Sequence, residues 1–354
     1  MNAQRDPFAG KIPVTLITGF LGSGKTTLIS RLVKHPAMQR IAVVINEIGE
    51  IGVDHDLVTI SSENITLLAN GCICCSVRTD LQETLRDLFA RRRAGEIADF
   101  DRVIVETTGL ADPAPVVQTL VSDTLLAAQY RLDGVVTLVD AIHGAHQIAH
   151  QPETPKQIAL ADRIFITKSD MVGSDCLESL MSSIAAINPG ARLSLNVNGE
   201  VHPEALTNLG LGSARTGPAT LMFLGESLEQ NNTNDGRYLG DLGKRSALHD
   251  SAIKTLSLRF KTPFVWDALS SALELLTTLR GPDLLRVKGI VNIDGNPVVI
   301  QGVQHIFHPP VKLDKWPSAD TDSRLVFITR NIQGEAIRNL LKAVVDVSTF
   351  TPSQ

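Results

Sequence analysis

The 354-residue chain has no surplus of positive charge: 33 Lys and Arg stand against 38 Asp and Glu, a formal net charge of -5. A general nucleic-acid binder needs a basic face to neutralise phosphates, so that class is not expected. No apolar run approaches the ~18 residues required to cross a bilayer. The polar opening MNAQRDPFAGK also lacks the apolar stretch of a secretory leader. A cytoplasmic protein with no membrane partner is therefore expected. Cysteine is scarce too: four residues do not make a secreted disulfide framework. Internal repeats and low-complexity tracts are absent. An ordinary globular composition remains, 43 % hydrophobic and long enough for two domains.

Three of the four cysteines cluster in NGCICCSVRTDL, at positions 72, 74 and 75. Cys72, Cys74 and Cys75 lie too close together for an unstrained disulfide among themselves. A soft-metal site or redox chemistry is left. Cys176, in SDCLESL, reads as an inert small apolar residue.

Apolar, β-branched runs at 14–18, 41–45, 102–106, 134–139 and 163–167 alternate with helical patterns. Strands apolar on both faces and separated by helices imply an α/β domain around a mainly parallel sheet. Residues 225–250 then turn polar and rich in Gly and Asn, as in a linker. Beyond them come strands near 253–260, 284–293, 298–306 and 325–329, with helices near 264–279 and 333–345: a smaller α+β domain. The division expected is a P-loop domain over 1–215, a linker over 216–252 and a C-terminal domain over 253–354.

GFLGSGKTTL follows the first strand, with Gly19, Gly24, Lys25 and Thr26 filling G-x-x-x-x-G-K-[ST]. Glycines let the backbone curl so that successive N–H groups, from Gly19 through Gly22, Ser23 and Gly24 to Thr27, face a phosphate chain. Lys25 then reaches the β- and γ-phosphates, and the Thr26 hydroxyl ligates Mg²⁺. In RVIVETTGL, Glu106 closes an apolar strand and Gly109 follows three residues on. An acid there can hold Mg²⁺ or its water, and a glycine at that offset can meet the γ-phosphate through its N–H. Lys25, Thr26 and Glu106 are thus the catalytic candidates. ITKSD ends the fifth strand: Asp170 can accept from guanine N1–H and N2–H₂, which adenine does not offer, and Lys168 can lay its stem along the base beside Thr167.

GFLGSGKTTL, NEIGEIGVDHDL, NGCICCSVR, ETTGLADPAPV, LDGVVTLVDA, LLRVKGIVNIDG and QGVQH together resemble the CobW-type metal-handling P-loop GTPases across almost the whole chain. The resemblance implies a SIMIBI-class GTPase domain, a CobW C-terminal domain, slow GTP hydrolysis, and delivery of Zn²⁺ or another transition metal to client metalloproteins. Two departures stand out. The family's guanine motif usually begins with Asn, where this chain has Thr167. Its linker has His249 alone where many relatives carry a His-rich run.

Thiolates suit Zn²⁺ and Co²⁺ alike. A closed structural zinc site would need a fourth protein ligand nearby, and no second C-x-x-C or His pair is close in sequence. An incomplete set suits transfer. Cys72, Cys74 and Cys75 are the thiol candidates, Cys74 foremost, approaching the N-terminus of a helix in which Leu81, Leu85 and Leu88 share a face. Glu47 and Glu50 lie where a nucleotide-responsive loop is expected and can complete the shell. His143, His146 and His150 read as an exposed helix face. Two rivals are a GTP-dependent metal-sensing regulator and a small-molecule kinase, the latter leaving the thiols without a role. Self-association stays open.

Overall fold

The computed structural model describes residues 8–46, 58–60, 65–68, 73–77, 81–207, 209–210, 220 and 253–349. Glu47, Glu50, Cys72 and nearly all of the 216–252 segment lie outside them. Contacts divide the chain into two compact units, Met1–Met181 with Leu193–Gly210, and Ser182–Arg192 with Leu211–Gln354.

The first unit is built on a nine-stranded sheet. In chain order its elements are β1 (Ile12–Gly19), α1 (Lys25–Leu32), β2 (Ile41–Asn46), β3 (Val58–Ile60), β4 (Ile65–Leu68), β5 (Ile73–Val77), α2 (Leu81–Ala94) and β6 (Arg102–Thr107). There follow α3 (Ala114–Ser122), α4 (Thr124–Gln129), β7 (Tyr130–Asp140), α5 (Gly144–His150), α6 (Glu153–Leu160), β8 (Arg163–Thr167), α7 (Ser174–Ile187) and β9 (Arg192–Asn196). The spatial order is β3-β4-β5-β2-β6-β1-β7-β8-β9. Strands β5, β2, β6, β1, β7 and β8 run parallel, and β3 and β4 add an antiparallel edge.

The apolar runs are buried on both faces, as their continuity requires. Val14, Leu16 and Ile17 of β1, Val103 to Val105 of β6, and Val135 and Val136 of β7 have no exposed surface. On one face Leu28, Ile29 and Leu32 of α1 pack with Ile17, Ile104 and Val136. Leu85 and Leu88 of α2 are fully buried, as their spacing predicts, and the Leu85 carbonyl accepts from the Tyr130 hydroxyl at 2.9 Å.

Strands β3 to β5 were not expected, and β5 changes the setting of the cysteines. Cys74 and Cys75 occupy consecutive strand positions rather than a turn running into a helix. The strand ends at Val77 and α2 begins at Leu81, so the helix dipole, which fades within one turn, does not reach them. Ile73–Val77 is extended because β2 and β4 offer ladder partners on both sides; tertiary pairing decides so short a segment. Cys176 differs as well: it is exposed on α7 rather than packed in a core.

The second unit holds β10 (Ile253–Phe260), α8 (Trp266–Arg280), β11 (Leu284–Ile293), β12 (Asn296–Val303), β13 (Ile306–Phe307), β14 (Val311–Lys312), β15 (Ser323–Arg330) and α9 (Gly334–Thr349). Its six-stranded antiparallel sheet has the order β10-β15-β11-β12-β13, with β14 beside β12. Leu256, Leu258, Val287, Val291, Leu325 and Phe327 pack against Leu269, Leu273, Ile337 and Leu341 of the two helices. Period-2 strands and period-3.6 helices thus meet in one core.

Candidate functional site

In a parallel sheet, polar chemistry gathers beyond the carboxyl ends of the strands. The ends of β1, β6, β7 and β8 bring the candidates together. Gly19 turns the chain out of β1 with φ 142°, and a Cβ there would lie 2.4 Å from the Leu138 carbonyl oxygen, so the close approach to β7 requires glycine. Gly22 and Gly24 also take positive φ, 74° and 91°. The buried ammonium of Lys25 donates to the carbonyls of Gly19 at 2.8 Å and Phe20 at 3.3 Å, inside the curl of its own loop. Beside it the Ser23 hydroxyl is fully buried with no hydrogen-bond partner among the described residues. A buried polar atom without a partner calls for an explanation, and a bound anion would supply one.

Glu106 is 5 % exposed, and its Oε1 accepts from the Thr26 hydroxyl at 3.4 Å. One residue on, Thr107 donates to the Thr18 hydroxyl at 2.9 Å and ties β6 to β1. An oxygen pair so placed suits a hard divalent cation, which prefers carboxylate and hydroxyl ligands. Gly109 lies directly against the phosphate loop: a Cβ there would come within 2.6 Å of the Leu21 backbone nitrogen.

At the end of β8 the departure from Asn finds a physical account. The Thr167 hydroxyl donates within 2.9 Å of the Ser23 carbonyl and 3.3 Å of the Val139 carbonyl, so it fastens this turn to the phosphate loop and to β7. Lys168 adopts a left-handed φ of 55°. Its ammonium bonds the Gly22 carbonyl at 3.0 Å and Asp140 at 2.5 Å. Asp170 is exposed in the following turn. Asp140 was not singled out from the sequence. It is 1 % exposed, its other oxygen accepts from the amides of Ile142 and His143, and it anchors Lys168 across the loop. The signal was present as an acid at the end of an apolar strand, the same signal that identified Glu106.

Cys74 pairs in register with Val43 of β2 and Thr66 of β4, and Cys75 with Val44 and Ile65. Across β2 the same rows continue to β6: Val44 faces Val105, and Ser76 reaches Glu106 through Ile45. Two inter-strand steps of ~4.8 Å put the cysteine strand ~10 Å from the strand bearing Glu106. The 47–57 segment, with Glu47 and Glu50, leaves from the end of the strand between them. Among the described residues no three His, Cys, Asp or Glu side chains form a metal site. The exposed rings of His146 and His150 stack at 4.2 Å, and no helix among the described residues is long and apolar enough to cross a membrane.

Comparison with known proteins agrees with this fold. Residues 13–194 match the CobW/HypB/UreG nucleotide-binding domain, and 253–345 match the cobalamin synthesis protein cobW C-terminal domain. The chain is 34 % identical over 330 residues to the zinc chaperone YjiA of Escherichia coli, covering 92 % of this chain and 96 % of that one. It is 29 % identical over 361 residues to zinc-regulated GTPase metalloprotein activator 1 of Schizosaccharomyces pombe, covering 93 % and 85 %. The crystal structure of the Zn(II)-bound YjiA GTPase from E. coli aligns with a TM-score of 0.73 at 32 % identity, over 94 % of this chain and 99 % of that one. The chain belongs to the CobW/HypB/UreG family of nucleotide-binding proteins, among the members that carry a CobW C-terminal domain.

Proposed function

We propose that this protein is a GTPase that binds a transition-metal ion, zinc foremost and cobalt by the same donor chemistry, at its C-x-C-C segment and hands it to a client metalloprotein. The observation that carries the reading is the sheet register, with Cys74 and Cys75 two strands from Glu106 across β2. The relatives point the same way, being a zinc chaperone and a zinc-regulated GTPase by name. Zinc is here the cargo. Two of the three thiols, Cys74 foremost, supply thiolates: Cys74 and Cys75 are consecutive in β5 and alternate between the two faces of the sheet, so one of that pair joins Cys72, and Glu47 or Glu50 completes the shell. The division into a nucleotide domain over 1–215, a linker over 216–252 and a C-terminal domain over 253–354 belongs to the same proposal, supported by the two family matches.

Hydrolysis needs little covalent participation from the chain. Lys25 exchanges its two carbonyl partners for the β- and γ-phosphate oxygens of GTP, and the amides from Gly22 to Thr27 wrap the phosphate chain. Ser23 brings the partnerless hydroxyl. Thr26 and Glu106 would hold Mg²⁺, which when bound neutralises phosphate charge. Water attacks the γ-phosphorus in line as the bond to the β-phosphate oxygen breaks, giving GDP and phosphate. No side chain is assigned as general base, so turnover without a partner is slow. Asp170 selects guanine, Thr167 and Asp140 hold the turn that presents it, and Lys168 covers the base.

The testing experiment follows Zn²⁺ transfer from the purified loaded chain to an apo acceptor with GTP-Mg²⁺, GDP-Mg²⁺ and no nucleotide. GTP-dependent transfer with release of free phosphate is expected. Complex formation that leaves the acceptor empty would favour the regulator instead.

A further inference from the structure

One buried group is left over by this account. Gln157 on α6 has no exposed surface, yet its side-chain amide reaches out of the helix to the loop that follows Glu106. Nε2 donates to the Gly109 carbonyl at 3.1 Å and to the Ala111 carbonyl at 3.1 Å. Both neighbours are acceptors, so the nitrogen must face them, and Oε1 is the atom left buried without a partner. The helix carrying this fork is itself fixed to the sheet, because the Gln157 carbonyl accepts from the Thr137 hydroxyl of β7 at 2.8 Å. One residue earlier Lys156 lies 3.6 Å from Asp112 of the same loop. On its other side the loop touches the phosphate loop, with Gly109 against Leu21.

A trans peptide points its carbonyl and the following N–H in opposite directions. Holding the carbonyls of Gly109 and Ala111 toward α6 therefore turns the N–H groups of Leu110 and Asp112 away from α6. Gly109 touches both Gln157 and Leu21 of the phosphate loop, so the orientation of these peptides bears on which backbone groups meet a third phosphate.

We propose that Gln157 is a positioning residue for the γ-phosphate: it sets the peptide planes of 109–112 so that the loop distinguishes GTP from GDP. The bare Oε1 gives the amide a second use, since a peptide that turns over when γ-phosphate binds or leaves can donate to it without the side chain leaving its pocket. The inference rests on the GTPase reading and assigns its γ-phosphate discrimination to one buried amide.

The test compares the full chain with Gln157→Leu, which keeps the bulk and removes both hydrogen bonds. Affinity for GDP and for a non-hydrolysable GTP analogue is measured with Mg²⁺, alongside kcat, KM and Tm. Loss of two neutral hydrogen bonds predicts a preference for the triphosphate, and a kcat, lower by roughly 10- to 100-fold with GDP affinity unchanged. A purely structural role would weaken both nucleotides alike and lower Tm. Gln157→Glu supplies a second readout: its neutral acid donates one hydrogen bond, whereas the ionised carboxylate faces two carbonyls, so its turnover relative to the unmutated chain falls as pH rises. Should Gln157→Leu not fold, that profile carries the test, and a flat ratio overturns the proposal. If the unmutated chain binds no GTP, the GTPase reading falls with it. If it prefers GTP and Gln157→Leu keeps the same preference, only the role given to Gln157 is overturned.

Discussion

The two sheets of this protein place their polar residues differently. In the parallel sheet the strand interiors are mostly apolar on both faces, Thr15, Asp133 and Thr137 excepted, and the buried polar groups Thr18, Glu106, Thr107, Asp140 and Thr167 collect at the carboxyl ends. In the antiparallel sheet polarity follows the pleat. Val287 and Phe327 face the helices, whereas Arg286, Lys288, Gln301 and Arg324 alternate with such core positions along three strands. In a covered parallel sheet the mid-strand polar groups are satisfied within the fold, as where Thr15 donates to the Leu206 carbonyl, Thr137 to the Gln157 carbonyl and Asp133 pairs with Arg102 and Arg131, and those at the strand ends are left to face a ligand; an antiparallel sheet spreads them over a face. Substitutions at strand ends of the first sheet should therefore damage chemistry and spare the fold. Core substitutions in the second should do the reverse.

The largest effect expected is on stability. Phe327 is fully buried, and Phe327→Ala should cost about 3–5 kcal/mol in denaturant unfolding of the second unit. A loss below 1 kcal/mol would mean that this sheet is not held by its helix-facing core. Lys25→Ala comes next, with GTP turnover falling by ~10²–10³-fold at an unchanged circular dichroism spectrum. Near wild-type turnover would remove the phosphate-loop assignment. Replacing Cys74 and Cys75 by Ser should weaken Zn²⁺ binding by about 100-fold and leave basal GTP binding intact, as a chelator competition would read. On the proposed role of Asp170 in reading guanine, Asp170→Asn would turn one acceptor into a donor and should reduce GTP affinity by about 10-fold; an unchanged preference for GTP over ATP would place selection elsewhere.

The smallest effect is a pH dependence. The Asp123 carboxyl is held below its usual range, chiefly by the Leu126 backbone N–H, then by Gln82 and Arg86, with burial opposing. A depressed folded-state pKa contributes stability above the unfolded value near 3.8 and loses it as pH falls through the folded one. Asp123→Asn has no such contribution to lose, so its Tm should drop less than the unmutated chain's between pH 7 and pH 3. Equal drops would show that the cap at the start of α4 does not titrate as described.

The legible parts of the site were those encoded by local spacing. Gly19, Gly24, Lys25 and Thr26 lie within one turn, and Glu106 and Gly109 within another, so a linear pattern suffices. Gln157 and Asp140 act across the fold, on carbonyls of Gly109 and Ala111 and on Lys168, and linear spacing carries no trace of those contacts. A glutamine beside a lysine reads as a helix surface until its burial is known. Thr167 stands where the family's guanine motif usually has Asn, and its hydroxyl bonds the Ser23 and Val139 carbonyls, contacts that the sequence does not show. The apolar parallel strands were plain from composition. The strand Ile73–Val77 was not, since two cysteines and a serine carry little β signal and its partners β2 and β4 supply the order.

Under the proposed delivery mechanism, γ-phosphate and metal strengthen each other's binding across β2. Zn²⁺ affinity of the full chain, measured with GTP-Mg²⁺ and with GDP-Mg²⁺ and with a non-hydrolysable analogue as the control, reads this coupling. Zinc should bind more tightly in the GTP state by about 5–150-fold and raise GTP affinity by the same factor, because linkage is reciprocal. Equal zinc affinities in the two states would contradict it, even if the cysteines hold the ion.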